Sequence, residues 1–234
     1  MIDRIKRGTK WLSALVALGL AGVVGLSAYT NVPTEITPED IGVFEDIGLH
    51  KPTAILSFNQ QVALIRRVQQ EVFIRAPLGE GIPDYEPREP ADLMRRVRHG
   101  LCYDRSRAFD KAFEFLGFES RHVYILFKQN RSFLGAALHH GQASHAVTDV
   151  KTSKGWMLVD SNTEWIALTR QGEPVNADAV WRRYSEFDKA PEYLNHPWWA
   201  IRGMYSRKGH LYPPYLPFPE FNWADFGGWI IRGA

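Results

Sequence analysis

From Ser57 to Ala76 the apolar residues Val62, Ile65, Val68 and Val72 return at helical spacing, with Gln69 beside them on the same face. That period predicts an amphipathic helix, with Asn59 able to cap its start and Pro77 just past its end. "ADLMRRVRHG" predicts a second, shorter helix, with Leu93, Met94 and Val97 inward and Gly100 as its stop. A third helix follows: Ala108, Phe109, Ala112, Phe113 and Leu116 form a wide apolar stripe ended by Gly117. So broad a stripe on so short a helix places it in the middle of a core. The period then changes. "FESRHVYILF", residues 118–127, reads as a strand covered on much of both faces, and "HAVTDV" and "WMLVD" as two strands around "KTSKG". Helices first and strands second predict an α+β domain, not a βαβ alternation.

The flanks read differently. Residues 31–52 are acidic and carry prolines, which predicts a linker with at most one short helical turn. The glycines and prolines of 77–90 predict a loop. From Trp181 onward lie fourteen of the thirty aromatic residues and many of the prolines, so 171–234 is expected as an irregular extension whose rings pack on the core. The core itself is placed at 53–170.

"WLSALVALGLAGVVGLSAYT", residues 11–30, has no charge and no proline, and follows a basic segment, 1–10. About twenty residues rising roughly 1.5 Å each match a hydrocarbon core of about 30 Å. A transmembrane anchor is therefore expected here in preference to a cleaved signal peptide. The basic flank would stay in the cytoplasm, giving a single-pass protein of the inner (cytoplasmic) membrane whose C-terminal domain faces the periplasm. Arg4, Lys6, Arg7 and Lys10 against Asp3 give the first thirty residues a balance of +3, so the net +2 leaves −1 for the rest. No basic face of the kind that binds nucleic acid is present, and that partner is excluded.

The chain has one cysteine, Cys102, in "GLCYDRSRAF". An exported chain with a solitary cysteine suggests either a reactive thiol or a buried thiol acting as a small apolar side chain. Cys102 opens the third helix, where unpaired N–H groups and the helix dipole favour an anion and could also hold a carbonyl oxygen under attack. A base and a group to orient it are needed next. If Lys151 faces Trp156 across the hairpin, Asp160 lies diagonally from His145 on one face, within reach of side chains; a loop one residue longer or shorter would separate them. His139, His140, His145 and Asp149 also cluster, but their spacing matches no zinc pattern. No metal or other cofactor is expected, and no calcium loop is present.

"GLCYDRSRAFDKAFEFLGFESRHV", "SHAVTDV" and "GWMLVDSN", in that order, resemble the transglutaminase-like superfamily over about Arg95 to Trp165. The resemblance implies a papain-like transglutaminase core: a central buried helix carrying the cysteine, packed on an antiparallel sheet. It also implies the roles: Cys102 nucleophile, His145 general base and acid, Asp160 orienter of the imidazole. Val147 departs from the tryptophan common in the family, and Asp149 from its glutamate. The family's second oxyanion donor has no clear match; Gln60, Gln61 and Gln69 carry suitable side chains upstream of the cysteine. Arg121 is expected in a core ion pair with Asp104 or Asp149. These features together predict a membrane-anchored, extracytoplasmic thiol-dependent acyl-transfer enzyme. It would be an amide or isopeptide hydrolase, or a crosslinker, acting on a peptide or protein amide such as a cell-envelope component. The alternative is a non-catalytic, partner-binding protein of the cell envelope that keeps the fold.

Overall fold

The computed structural model describes residues 2–79, 82, 89–96, 99–139, 141–205 and 220–232, with side chains from Val16 onward. Helix α1 (Ile2–Thr30) is followed by α2 (Pro38–Asp46), α3 (Phe58–Arg75), α4 (Pro90–Arg96) and α5 (Cys102–Phe115). Strand β1 (Ser120–Phe127), the short α6 (Phe133–Ala137), β2 (Ser144–Thr152) and β3 (Gly155–Asp160) come next. Two 3-10 turns, Val180–Glu186 and Glu192–Asn195, lead into β4 (Trp198–Arg202), β5 (Met204–Tyr205), β6 (Glu220–Phe221) and α7 (Trp223–Arg232). The main sheet is antiparallel, in the order β3-β2-β1-β4. The mixed α+β class with an antiparallel sheet is the observed one.

Each face of that sheet buries a different part of the chain. Val150, Met157 and Val159 meet Ala108, Phe109, Ala112 and Phe113 of α5, which is backed in turn by Ile65, Val68 and Val72 of α3. Phe109 and Phe113 have no solvent exposure, and truncating either to alanine would cost about 3–5 kcal/mol. On the other face Val123, Ile125, Val147 and Leu158 meet residues from Ala167 to Ala200. The helix carrying Cys102 is thus the central layer, between sheet and α3. Its end is set by Gly117 at φ +86°, a left-handed state that glycine adopts without strain. At the head of α3 the cap is Ser57, whose N–H and hydroxyl both donate to Gln60 Oε1, rather than Asn59.

Three expectations are corrected. Residues 31–52 are not a linker standing outside the domain: α2 starts from a Thr37–Asp40 capping box with Pro38 at its first turn, and Val43, Phe44, Ile47 and Leu49 are buried in the main core. The Lys111 ammonium of α5 pins this segment through a buried 2.7 Å ion pair with Asp40. The aromatic extension is only partly irregular. "WWAIR" forms the edge strand β4, paired along β1 from Phe127↔Trp198 to Val123↔Arg202, and Trp198 and Ile201 are buried. Residues 206–219 of that extension and most of the expected loop at 77–90 lie outside the described residues.

The third correction concerns the membrane. Among the described residues no helix is long and apolar enough to cross one, so the single-pass anchor at 11–30, and with it the inner-membrane location, is set aside. Val16, Leu18, Leu20, Val23 and Val24 of α1 are exposed. The end of that helix meets the domain, where the Trp223 indole N–H donates to Ser27 O and Thr30 Oγ1, and Val32 N donates to Phe221 O.

Candidate active site

The β2–β3 hairpin sets the geometry. Lys151 pairs with Trp156 and Val147 with Asp160, so Asp160 is the diagonal neighbour of His145 on the face away from α5. A tight turn at Ser153–Lys154 holds this register, with Gly155 at φ +125°, a state L-residues rarely adopt. His145 stands at the start of β2, opposite Ile125 of β1. Its Nε2 lies 2.6 Å from Asp160 Oδ1. On the other side of the ring, Asn162 Nδ2 lies 3.4 Å from Nδ1. Cys102, at the first turn of α5 and half-buried, is near enough to act on the same imidazole and favours its charged form. The three residues singled out from the sequence are therefore together in space.

Asp160 is held ionised. Burial works against its charge, but His145 and hydrogen bonds from Tyr193 and Thr163 outweigh that and keep its pKa below the ordinary carboxylate value. Its Oδ2 accepts from the Thr163 N–H at 2.8 Å, the Thr163 hydroxyl at 2.7 Å and the Tyr193 hydroxyl at 2.5 Å. His145 responds in kind. Burial disfavours the imidazolium, yet the Asp160 charge and hydrogen bond, joined by Cys102, push its pKa up to about 10. With Oδ1 fixed on Nε2, the ring's other nitrogen, Nδ1, faces Asn162.

Two further residues complete this arrangement and were not read from the sequence. Arg105, fully buried one turn along α5, donates from Nε to Ser161 O, from Nη1 to Gly100 O at 2.9 Å and from Nη2 to Asn162 Oδ1 at 2.7 Å. It ties the loop before the cysteine to the loop after the aspartate. Burial lowers its pKa, while the charges of Cys102, Asp160 and Asp104 work to raise it. Tyr193, from the second 3-10 turn, lies edge-on to His145 with ring centroids 5.4 Å apart and closes over the His145–Asp160 pair. A sequence signal for either is weak: arginine is rarely fully buried, and Tyr193 arrives from a segment with no periodicity.

The glutamines face elsewhere. Gln60 caps α3, Gln61 spans Leu56 O and Ser153 N, and Gln69 Nε2 is spent on the carbonyls of Asp160, Thr163 and Trp165. Gln69 thus shapes the aspartate loop from behind. Arg121 makes its ion pair with Asp149, not Asp104, at 2.9 Å and stacks over Trp156; Asp149 also accepts from Ala177 N. Burial raises the Asp149 pKa against the opposing pull of Arg121. His139 Nε2 lies 3.0 Å from Arg131 Nη2, and His140 lies outside the described residues. A serine–histidine pair also exists: Ser106 Oγ is 2.9 Å from His122 Nδ1. Both residues are sealed between α5 and the sheet at 1% exposure or less, and burial drives His122 down to about 3, so this imidazole is neutral and out of reach of a substrate.

What the fold and site define is an α+β protein with an imidazole and a carboxylate joined on a hairpin and a thiol on a helix end close by. No protein-family model matches the chain, and no curated protein matches it. Among solved structures it is similar to arylamine N-acetyltransferase C from Bacillus anthracis, at 14% identity and a TM-score of 0.36 over 60% of this chain. The chain spans 54% of that protein's length. At that TM-score the likeness is too loose to inform function.

Proposed function

We propose that this chain is a thiol-dependent acyl-transfer enzyme, with Cys102 as nucleophile, His145 as base and acid, and Asp160 as the group that orients the imidazole. The supporting observation is that the imidazole held by Asp160 through Nε2 also responds to Cys102, which favours its charged form. A thiol next to an imidazole so held can pass its proton to the ring and attack a carbonyl as thiolate. The tetrahedral oxyanion would be met by N–H groups at the start of α5. As the C–N bond breaks, His145 returns the proton to the departing amine, leaving a thioester on Cys102. Attack by water, with His145 again removing a proton, completes hydrolysis; attack by a second amine completes transfer. The substrate class is an amide or isopeptide of a peptide or protein.

The test is to trap the intermediate. Incubation with p-nitrophenyl acetate should place an acetyl group on Cys102, seen by intact-mass and peptide mass spectrometry, with a burst of nitrophenolate equal to the enzyme present. Substituting Cys102→Ser or His145→Ala should abolish the burst. No adduct on Cys102 in the folded protein, together with normal cellular function of Cys102→Ser, would leave the non-catalytic partner-binding reading in its place.

A further inference from the structure

Beside the His145–Asp160 pair lies a cavity of about 380 Å³, whose lining includes Phe127, Lys128, Ala143, Tyr193, His196 and Pro197. Tyr193 is its shared wall: the same ring lines the cavity, lies edge-on to His145 and donates to Asp160. We propose that this cavity is the subsite that selects the substrate, taking an apolar side chain that stands beside a carboxylate, as at the C-terminus of a peptide ending in a large apolar residue. This assignment rests on the acyl-transfer reading for its role in selection.

Three observations carry it. The first is charge. Lys128 supplies a cation to the cavity, and no carboxylate lines it. The ammonium lies over the faces of Trp199, at 5.1 Å, and Trp181, at 5.8 Å. Two indole faces hold a cation without neutralising it, so an arriving anion keeps its attraction. The second is construction. The walls are tied together by backbone hydrogen bonds, Phe127 N to Ala143 O at 3.1 Å and Lys128 N to Pro197 O at 2.9 Å, so the cavity joins the ends of β1, β2 and β4 and does not depend on loop closure. Pre-formed cavities with apolar walls and few polar groups are the usual form of a binding site.

The third is backbone strain. Arg131 N closes a turn onto Lys128 O, and both central residues of that turn, Gln129 at φ +44° and Asn130 at φ +61°, are left-handed. Asparagine tolerates that state, but glutamine does not do so readily. Both residues line the cavity. A strained turn held at the rim of a cavity next to candidate catalytic groups is the pattern expected where geometry serves binding.

The test measures binding without using the thiol. Dissociation constants for N-acetyl-phenylalanine and N-acetyl-phenylalaninamide would be determined by ligand-observed NMR on the full chain. The carboxylate should bind about threefold to fivefold more tightly than the amide, the scale of one half-exposed charge pair. The preference should vanish in Lys128→Met and return in Lys128→Arg, which keeps the charge and reports on folding as well. Equal binding of the two ligands to the unsubstituted protein, or an unchanged preference in Lys128→Met, overturns the assignment. Those results are separable from a failure of the acyl-transfer reading, which shows as absence of acetylation at Cys102 whatever the cavity binds.

Discussion

Arg105→Lys is the substitution that most sharply separates geometry from charge at this site. The guanidinium serves Ser161 O, Gly100 O and Asn162 Oδ1 with three separate N–H groups, and a fourth, longer contact reaches Ala76 O at 3.4 Å. The three short-contact acceptors lie on two loops, the one preceding Cys102 and the one following Asp160. Lysine retains the positive charge, but its donors radiate from one nitrogen and cannot span that set. On that geometry one short contact survives and two are lost. A hydrogen bond from a charged donor contributes about 1.5–3 kcal/mol, so the loss should fall at about 3–6 kcal/mol. Urea unfolding followed by tryptophan fluorescence measures it directly. The alkylation rate of Cys102, taken under conditions where the variant remains folded, should fall as well, because Gly100 and Asn162 lose their common anchor. A stability loss below about 1 kcal/mol with unchanged alkylation would refute the view that Arg105 joins the two halves of the site.

Three other outcomes are expected. Lys111→Met strands the fully buried Asp40 carboxylate without its cation and should destabilise by about 3–5 kcal/mol in urea titrations. Adding Asp40→Asn should restore part of that loss, and a penalty under about 1 kcal/mol would contradict the placement of residues 31–49 in the core. Tyr193→Phe removes one donor from ionised Asp160 and should cost about 1.5–3 kcal/mol at pH 7. Because the folded pKa of Asp160 is depressed, its stabilisation is present above the unfolded value of about 3.9 and lost as pH falls through the folded one. The Tyr193→Phe penalty should therefore fade on acidification; a penalty that grows there counts against the account. His122, held near 3, binds its proton far less readily folded than unfolded. Stability should accordingly fall as pH drops below about 6.5 toward 3, and His122→Phe should flatten that part of the urea-midpoint profile, an unchanged slope being the contrary result.

Local pattern and non-local pattern differed in how legible they were. The helices at 58–75 and 102–115 announce themselves through periodicity and end signals, and the hairpin through "KTSKG", whose turn fixes the register. Register alone is enough to bring Asp160 beside His145, and for that reason their proximity could be read in advance. The edge strand "WWAIR" is five residues between Pro197 and Gly203, too short for a period, and its partner β1 is remote in sequence. Helix α2 buries few apolar residues within an acidic stretch, so its composition resembles a linker although Thr37-Pro38 and Asp40 spell a helix start. Arg105 and Tyr193 acquire their roles only through contacts to loops distant along the chain. For the N-terminal segment, length and hydropathy were consistent with a span, but among the described residues no helix meets the requirement.

The central claim is that Cys102 works through His145, and thiol alkylation tests it most directly. Iodoacetamide at pH 7 should label Cys102 in the folded chain, and His145→Ala should slow that labelling by at least about tenfold, with Asp160→Asn falling between the two. Equal labelling rates in the unsubstituted chain and His145→Ala would contradict it.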